Sequence, residues 1–473
     1  REAIKIVFSS IIFLFTFLPI TLLLYYVSPR ILKNSVLLIA SLIFYAWGEP
    51  IYVFLMMGTI IVDYLLAILI DKNRHEEGKC KSIFILTIIL NVSILGFFKY
   101  FGFFVDNINS IFHLNIPFEG LALPIGISFY TFQVLSYIVD VYLGKVEVQY
   151  NIINFAAYVT MFPQLVAGPI VQYQTIEDQL NTRQESIVKF GEGVERFIQG
   201  LGKKVLLANN IGMLWTTVSA MDTSSISVLT AWLGIIAYTF QIYFDFSAYS
   251  DMAIGLGKMF GFEFMENFNY PYISKSVTEF WRRWHISLGT WFREYIYIPL
   301  GGNRVSVPKQ VRNIFVVWAL TGFWHGANWN FIIWGLYYGV LLFIEKFVLK
   351  SVLEKTPDFI KHIYTMLFVI VGWLFFASED LGFALNYLKV MFFMSGNAIV
   401  DSSALYYLYT NIILFVILII LSTPAVKQIL KNMAQKYRDK VLNPSLVIYG
   451  LVLFLVTAYL VNETYNPFLY FRF

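Results

Sequence analysis

IVFSSIIFLFTFLPITLLLYYV, residues 6–27, is 22 residues long and carries no charge. A helix rises about 1.5 Å per residue, so this run reaches across the roughly 30 Å apolar core of a bilayer. It is too long for the core of a signal peptide and lacks a small-residue cleavage site. Ser28-Pro29-Arg30 follows it. The expectation is a membrane helix that stays in the protein.

Similar runs recur near 35–47, 51–70, 82–104, 121–143, 152–170, 194–216, 226–246, 313–327, 329–349, 361–377, 406–423 and 442–461. They are continuous rather than alternating. Lipid obliges each segment to close its own backbone hydrogen bonds, so they read as helices and not strands. A chain that is 58% hydrophobic and 14% charged, with mean hydropathy +0.67, lies far from soluble enzymes. The fold expected is all-α: one integral-membrane domain over 1–473, a polytopic bundle of about eleven crossings plus partial helices. Segments 35–47 and 51–70 form a hairpin in this reading. The run 152–170 stops at FPQLVAGPI, where two prolines and a glycine end regular helix. Segments 194–216 and 383–397 read as interfacial or re-entrant.

The net charge of +4 is small, which suits membrane loops and excludes nucleic acid as a partner. One cysteine, Cys80, excludes an internal disulfide framework and a cysteine-rich zinc site. Loops 30–33, 71–81, 256–312, 345–361 and 427–440 are rich in Lys and Arg, whereas 105–120, 378–382 and 399–404 have none. The positive-inside rule places the first group in the cytoplasm of a multi-pass cell-membrane protein, with both termini extracytoplasmic.

Three stretches carry polar chemistry. TEFWRRWHISLGTWFREYIYIPLGGNR, 278–304, gathers Arg282, Arg283, Arg293, Arg304, Glu279 and Glu294 around His285, interleaved with Trp281, Trp284 and Trp291. A helix over 278–295 places Arg282 and His285 on one face beside Trp281. The arginines either record topology or hold an anion, since guanidinium pairs well with phosphate. TGFWHGANWNFIIWG, 321–335, puts His325 13 residues beyond Arg312, about 20 Å into the bilayer if helical. Gly322 and Gly326 flank it and leave room for a ligand or another helix. An ionisable group at that depth marks a functional site, or bridges two helices. QIYFDFSAYSDMAIG, 241–255, holds Gln241, Asp245, Ser247, Ser250 and Asp251. These either line a cavity or bond helix to helix. No spacing of Asp, Glu or His completes a metal-ligand set around the two histidines. His75, His113 and His362 read as solvated loop residues. No Walker loop, nucleophile elbow or dinucleotide fingerprint is present. A buried histidine acting as general base toward a hydroxyl, served by a basic cytoplasmic funnel for a phosphorylated acyl carrier, fits all three stretches.

NFNYPYISKSVTEFWRRWHISLGTWFREYIYIPLGGNR (267–304) followed by TGFWHGANWNFIIWG resembles the membrane-bound O-acyltransferase family, in its bacterial branch that includes the alginate O-acetyltransferase membrane subunit. LPIGISFYTFQVLSYIVDVYLG (123–144), FPQLVAGPI (162–170), IYFDFSAYSDMAIGLGKMFGFEFMENFNYPY (242–272) and NPFLYFRF (466–473) agree with it. Gly289-Thr290 and Glu294 are small departures. The resemblance implies a bundle around a transmembrane tunnel, entered by an acyl thioester from the cytoplasm. It implies His325 of the Trp-His-Gly motif as the catalytic histidine, taking the acceptor's proton or carrying the acyl group transiently. It implies His285 as a second active-site residue that polarises the thioester carbonyl or orients other groups. Donor binding is expected from Arg282, Arg283, Arg293, Trp281, Trp324, Asn328, Asp245, Gln241 and Ser250. Acetyl-CoA is then the donor substrate, with no bound cofactor and no metal. An extracytoplasmic acyltransferase- or esterase-like partner would finish transfer to a polysaccharide. The competing readings are D-alanyl transfer to teichoic acids from a carrier protein, a transporter or flippase, and a scaffold without chemistry. The polymer stays open among alginate, peptidoglycan, cellulose and other exopolysaccharides.

Overall fold

A computed structural model of the 473-residue chain describes residues 7–166, 168–436, 444–462 and Leu469. Among the described residues every regular element is helical. The helices are α1 (Leu18–Val27), α2 (Lys33–Gly48), α3 (Tyr52–Lys72), α4 (Glu77–Leu95), α5 (Phe101–Phe112), α6 (Ile127–Tyr142), α7 (Ile152–Thr160), α8 (Phe162–Leu165), α9 (Tyr173–Thr182), α10 (Ile187–Gly202), α11 (Asn209–Ser219) and α12 (Val228–Met259). They continue with α13 (Val277–Arg283), α14 (Ile286–Phe292), α15 (Val307–His325), α16 (Trp329–Phe347), α17 (Lys350–Lys355), α18 (Asp358–Ala377), α19 (Leu381–Met391), α20 (Ser402–Leu421), α21 (Ala425–Lys436) and α22 (Pro444–Asn462). Wider π-helical turns occupy Phe13–Phe17, Gly96–Tyr100, Lys203–Ala208 and Arg293–Tyr297.

Among the described residues seven helical spans are long and apolar enough to cross a membrane, including Tyr52–Lys72, Glu77–Phe112 and Ser402–Leu421. The shorter Phe13–Val27 and Leu446–Asn462 are apolar too. The chain is a multi-pass membrane protein. The hairpin expected from 35–70 forms as α2 and α3, parted at Glu49-Pro50-Ile51. The apolar run 226–246 is part of a longer helix than its composition marks, because α12 continues through the polar residues to Met259. Its apolar window is 78% buried inside the protein, which is why serines and aspartates are tolerated there. The basic segment 256–312 accordingly contains helix, in α13, α14 and the start of α15. The run 194–216 is helical through α10, the π-turn and α11, and 383–397 overlaps the short α19. His362 is not a loop residue but lies in α18, with Nδ1 donating to the Ser274 carbonyl at 3.1 Å. Ala167 of FPQLVAGPI, residues 1–6 and most of NPFLYFRF lie outside the described residues, as does part of loop 427–440.

The chain divides into two compact units: residues 1–197 with 251–265, and residues 198–250 with 266–473. The first has a core of phenylalanines. Phe13, Phe17, Phe44 and Phe162 pack with ring centroids 5.4–6.2 Å apart. Gly126, at φ +75°, begins α6, and a Cβ there would stand 2.7 Å from the Leu165 carbonyl oxygen. Only glycine admits both that backbone and that approach. A buried carboxylate, Asp63 of α3, accepts from Asn91 of α4 at 2.7 Å, which ties this apolar hairpin together.

The second unit is organised around α12 and the pair α15–α16. The α15 and α16 backbones meet at Gly322 and Gly335: a Cβ on Gly322 would lie 2.2 Å from the Phe331 carbonyl oxygen, and one on Gly335 2.3 Å from that of Trp318. Of the two readings of Gly322, close approach of a helix is the one realised, as expected for small residues at membrane helix crossings. Gly322→Val should force α15 and α16 apart and lower the unfolding midpoint in detergent by roughly 5 °C or more. Gly339→Ala, whose Cβ would meet the Phe315 ring at 3.3 Å and the Trp318 Cβ at 3.4 Å, contacts that a small shift relieves, should lower it by less than about 2 °C. Thermal unfolding followed by tryptophan fluorescence compares the two.

Candidate active site

All residues described here belong to the second unit. The stretch 278–304 is not one helix. Its N-terminal piece, α13, is fixed by acceptors. Ser276 Oγ accepts from the Glu279 backbone N–H at 2.9 Å. Glu345, buried on α16, accepts from Val277 N at 2.6 Å, Thr278 N at 2.8 Å and Thr278 Oγ1 at 2.6 Å. A carboxylate against the freed N–H groups of a helix start is favourable both as hydrogen bonding and as charge.

α13 ends at Arg283. Trp284 is extended, and His285 adopts the left-handed conformation at φ 46°, ψ 54° before α14 begins. The chain segment just before α13 repairs the break. Asn267 Oδ1 accepts from Ser287 N at 3.1 Å and Ser287 Oγ at 2.9 Å, and lies 3.2 Å from His285 Nδ1. The Asn267 carbonyl accepts from Ile286 N at 3.0 Å, and Asn269 N donates to the Arg283 carbonyl at 2.9 Å. The expected helical face shared by Arg282 and His285 is thus a correction: the kink turns His285 inward to 2% exposure and leaves Arg282 exposed.

His285 packs edge-on against Phe246 of α12, centroids 4.7 Å apart, and 6.1 Å from Trp324. Burial pushes its imidazole down to about 3, so it is neutral at physiological pH. His325 is the last residue of α15 and is 6% exposed. Its ring lies 5.0 Å from Trp324, 5.0 Å from Trp334 and 5.2 Å from Phe376. The two histidines therefore share one ring neighbour, the indole of Trp324. Trp281 extends the same aromatic wall, 5.5 Å from Trp334 and 4.8 Å from Tyr338. Two neutral-capable bases inside an aromatic wall form a site suited to proton transfer with little water.

The other expected donor-binding residues separate. Arg283 is committed to Glu279 at 2.9 Å and to the Asn269 carbonyl at 3.0 Å. Arg293 pairs with its neighbour Glu294 at 2.8 Å. Arg282 has no ion pair among the described residues. Asp245 forms a buried ion pair with Lys204 of the π-turn and accepts from Leu469 N at 3.0 Å. Gln241 Oε1 and Ser250 Oγ are buried without a hydrogen-bond partner among the described residues, as is Ser247 Oγ. The Gln241 side chain lies directly over Gly212, where a Cβ would come within 2.3 Å of it. Asn328 is exposed and serves α16 as its N-cap, accepting from Asn330 N at 3.1 Å. Asn267, Glu345, Lys204 and Phe246 were missed by sequence reasoning. The signal that could have found Lys204 is a cation inside the apolar run 194–216. Asn267 lay in a quoted motif, but nothing in its spacing distinguishes it from Asn269.

The model of the membrane-bound O-acyltransferase family matches residues 145–380. A probable alginate O-acetylase of Pseudomonas aeruginosa is 46% identical over 391 residues, covering 82% of this chain and 75% of the relative. A peptidoglycan O-acetyltransferase of Helicobacter pylori is 35% identical over 426 residues, covering 83% and 80%. A teichoic acid D-alanyltransferase of Bacillus subtilis is 30% identical over 249 residues, covering 50% and 62%.

Glu345→Ala would leave the Val277 and Thr278 N–H groups without their acceptor, at about 1–3 kcal/mol each where buried. The expected result is a lowered unfolding midpoint together with loss of turnover, because α13 carries Trp281 and leads into His285. Glu345→Gln keeps one oxygen and should retain most of both. Unfolding and turnover assays on the same preparations check this.

Proposed function

The chain belongs to the membrane-bound O-acyltransferase family and is an O-acyltransferase, and on that footing we propose that it moves an acetyl group from cytoplasmic acetyl-CoA toward a hydroxyl of an extracytoplasmic polysaccharide. The observation that carries this reading is the pair of buried histidines, His285 and His325, both packed against the Trp324 ring. In the reaction the acceptor oxygen attacks the thioester carbonyl carbon. A C–O bond forms and the C–S bond breaks. His325 takes the hydroxyl proton and returns it to the departing thiolate. The rings of Trp324, Trp334 and Phe376 around it keep water from competing for the thioester.

Arg282, exposed and without an ion pair among the described residues, is the arginine of the cluster best able to meet the phosphates of the donor. Arg283 and Arg293 would first have to leave their carboxylates. Gln241 Oε1 and Ser250 Oγ, without a hydrogen-bond partner among the described residues, support a polar lining on α12. Both termini are placed outside the cytoplasm, and a separate extracytoplasmic acyltransferase- or esterase-like protein completes delivery. The relatives named for alginate and for peptidoglycan keep both polymers as candidates. D-alanyl transfer from a carrier protein is the second reading. Its relative aligns with 50% of the chain against 82% for the alginate O-acetylase, which favours acetyl transfer.

Radiolabelled acetyl-CoA, offered to membrane vesicles containing the protein and its native partners, tests the proposal. Wild type should release CoA at about 10² times the rate of His325→Ala or more, the usual contribution of a general base. Equal rates in the two would remove His325 from the mechanism. Turnover that begins only when a charged carrier protein is added would establish the D-alanyl reading instead.

A further inference from the structure

A neutral histidine carries one ring proton, and the nitrogen that lacks it is an acceptor. Which nitrogen of His285 is protonated follows from its neighbour. One atom of the Asn267 side-chain amide stands 3.2 Å from His285 Nδ1 and 3.1 Å from the Ser287 backbone nitrogen. A backbone N–H only donates, so that atom is the amide oxygen. An amide oxygen only accepts, so His285 Nδ1 must carry the proton. The Ser287 hydroxyl gives its own proton to the same oxygen at 2.9 Å and stays 3.4 Å from Nδ1.

We infer that Asn267 is a positioning residue that holds His285 as its Nδ1–H tautomer, so that Nε2 enters the acyl-transfer site as a hydrogen-bond acceptor for a substrate O–H or N–H. This rests on the proposed acyl transfer and narrows it. Sequence reasoning offered His285 as a group that polarises the thioester carbonyl, which needs a donor. With its single proton engaged by Asn267, the imidazole has none to give from Nε2. Polarisation of the carbonyl falls to another group. The substrate donor that Nε2 meets is either the acceptor hydroxyl or an amide N–H of the pantetheine arm of the thioester.

The geometry around the ring fixes this arrangement. The left-handed backbone at His285 and the bond from Ile286 N to the Asn267 carbonyl set where Nδ1 points. Phe246 from α12 and Trp324 from α15 bound the ring on other sides. Asn267 is itself fully buried and holds the histidine through both its main chain and its side chain.

The test is solid-state NMR of the lipid-reconstituted protein with isotope-labelled histidine, the His285 signals being assigned by their loss in His285→Gln. Wild type should show a protonated Nδ1 and an unprotonated Nε2. Asn267→Ala should mix the tautomers and cut turnover about tenfold or more, since losing the group that fixes a catalytic histidine's tautomer costs up to about 10⁴ in a serine protease. Asn267→Asp keeps an oxygen for Nδ1–H and should recover the tautomer and part of the rate. It also carries the test should the alanine variant fail to fold. A fall in kcat at unchanged KM for acetyl-CoA identifies the acceptor hydroxyl as the group that meets Nε2, and a raised KM identifies the pantetheine amide. A protonated Nε2 in wild type, or an Asn267→Ala protein with the same tautomer and turnover within about twofold, would overturn the inference. A wild type that turns over no acetyl-CoA would instead overturn the proposed function and leave the tautomer result standing.

Discussion

A helix break frees backbone N–H groups, and where they are shielded from water the protein itself must supply the acceptors. This chain breaks its helices often and supplies the acceptors from side chains. Asn151 caps α7, Asn328 caps α16, Asp380 caps α19 and Asp401 caps α20. Ser276 and Glu345 together hold the start of α13. The break at Trp284-His285 is the most elaborate, because the segment 267–269 lies along it and takes over the missing backbone bonds. His285 is carried on that repaired break. Its position follows from where backbone hydrogen bonds had to be replaced.

Much of this was legible in the sequence. Continuous apolar runs specify helices in lipid, and the histidines at 285 and 325 stood out because they sit among aromatics and inside a span. The structure puts both of them against Trp324. What was not legible depended on partners distant in sequence. Periodicity carries 278–295 as one helix, since nothing local at Trp284 forbids it. The competing partner, Asn267, is 18 residues before the histidine. Likewise Asp245 reads as a cavity residue until Lys204, 41 residues away, neutralises it. Long-range pairing is the information that a pass along the chain does not contain.

The concentration of charge in 278–304 also takes a different meaning once the fold is known. Arg283 and Arg293 are balanced locally by Glu279 and Glu294 at the surface. Exposed pairs of that kind contribute little to stability. The buried charges of this unit, Lys204, Asp245 and Glu345, lie elsewhere, and each has partners. Around His325, by contrast, the described ring neighbours are tryptophan and phenylalanine. The buried charges and the buried histidines are thus different residues, coupled where Glu345 holds the start of α13 that leads into His285.

The left-handed backbone at His285 has a last consequence. An L-residue with a side chain pays on the order of 1 kcal/mol to sit there, and glycine pays almost nothing. The replacement that the backbone would accept most readily is therefore the one that deletes the imidazole. Removing the imidazole would also empty the space beside Phe246 and Trp324 and take from Asn267 its ring partner, a loss larger than the backbone's gain. The seated ring therefore holds its own backbone in a conformation that the chain would otherwise leave.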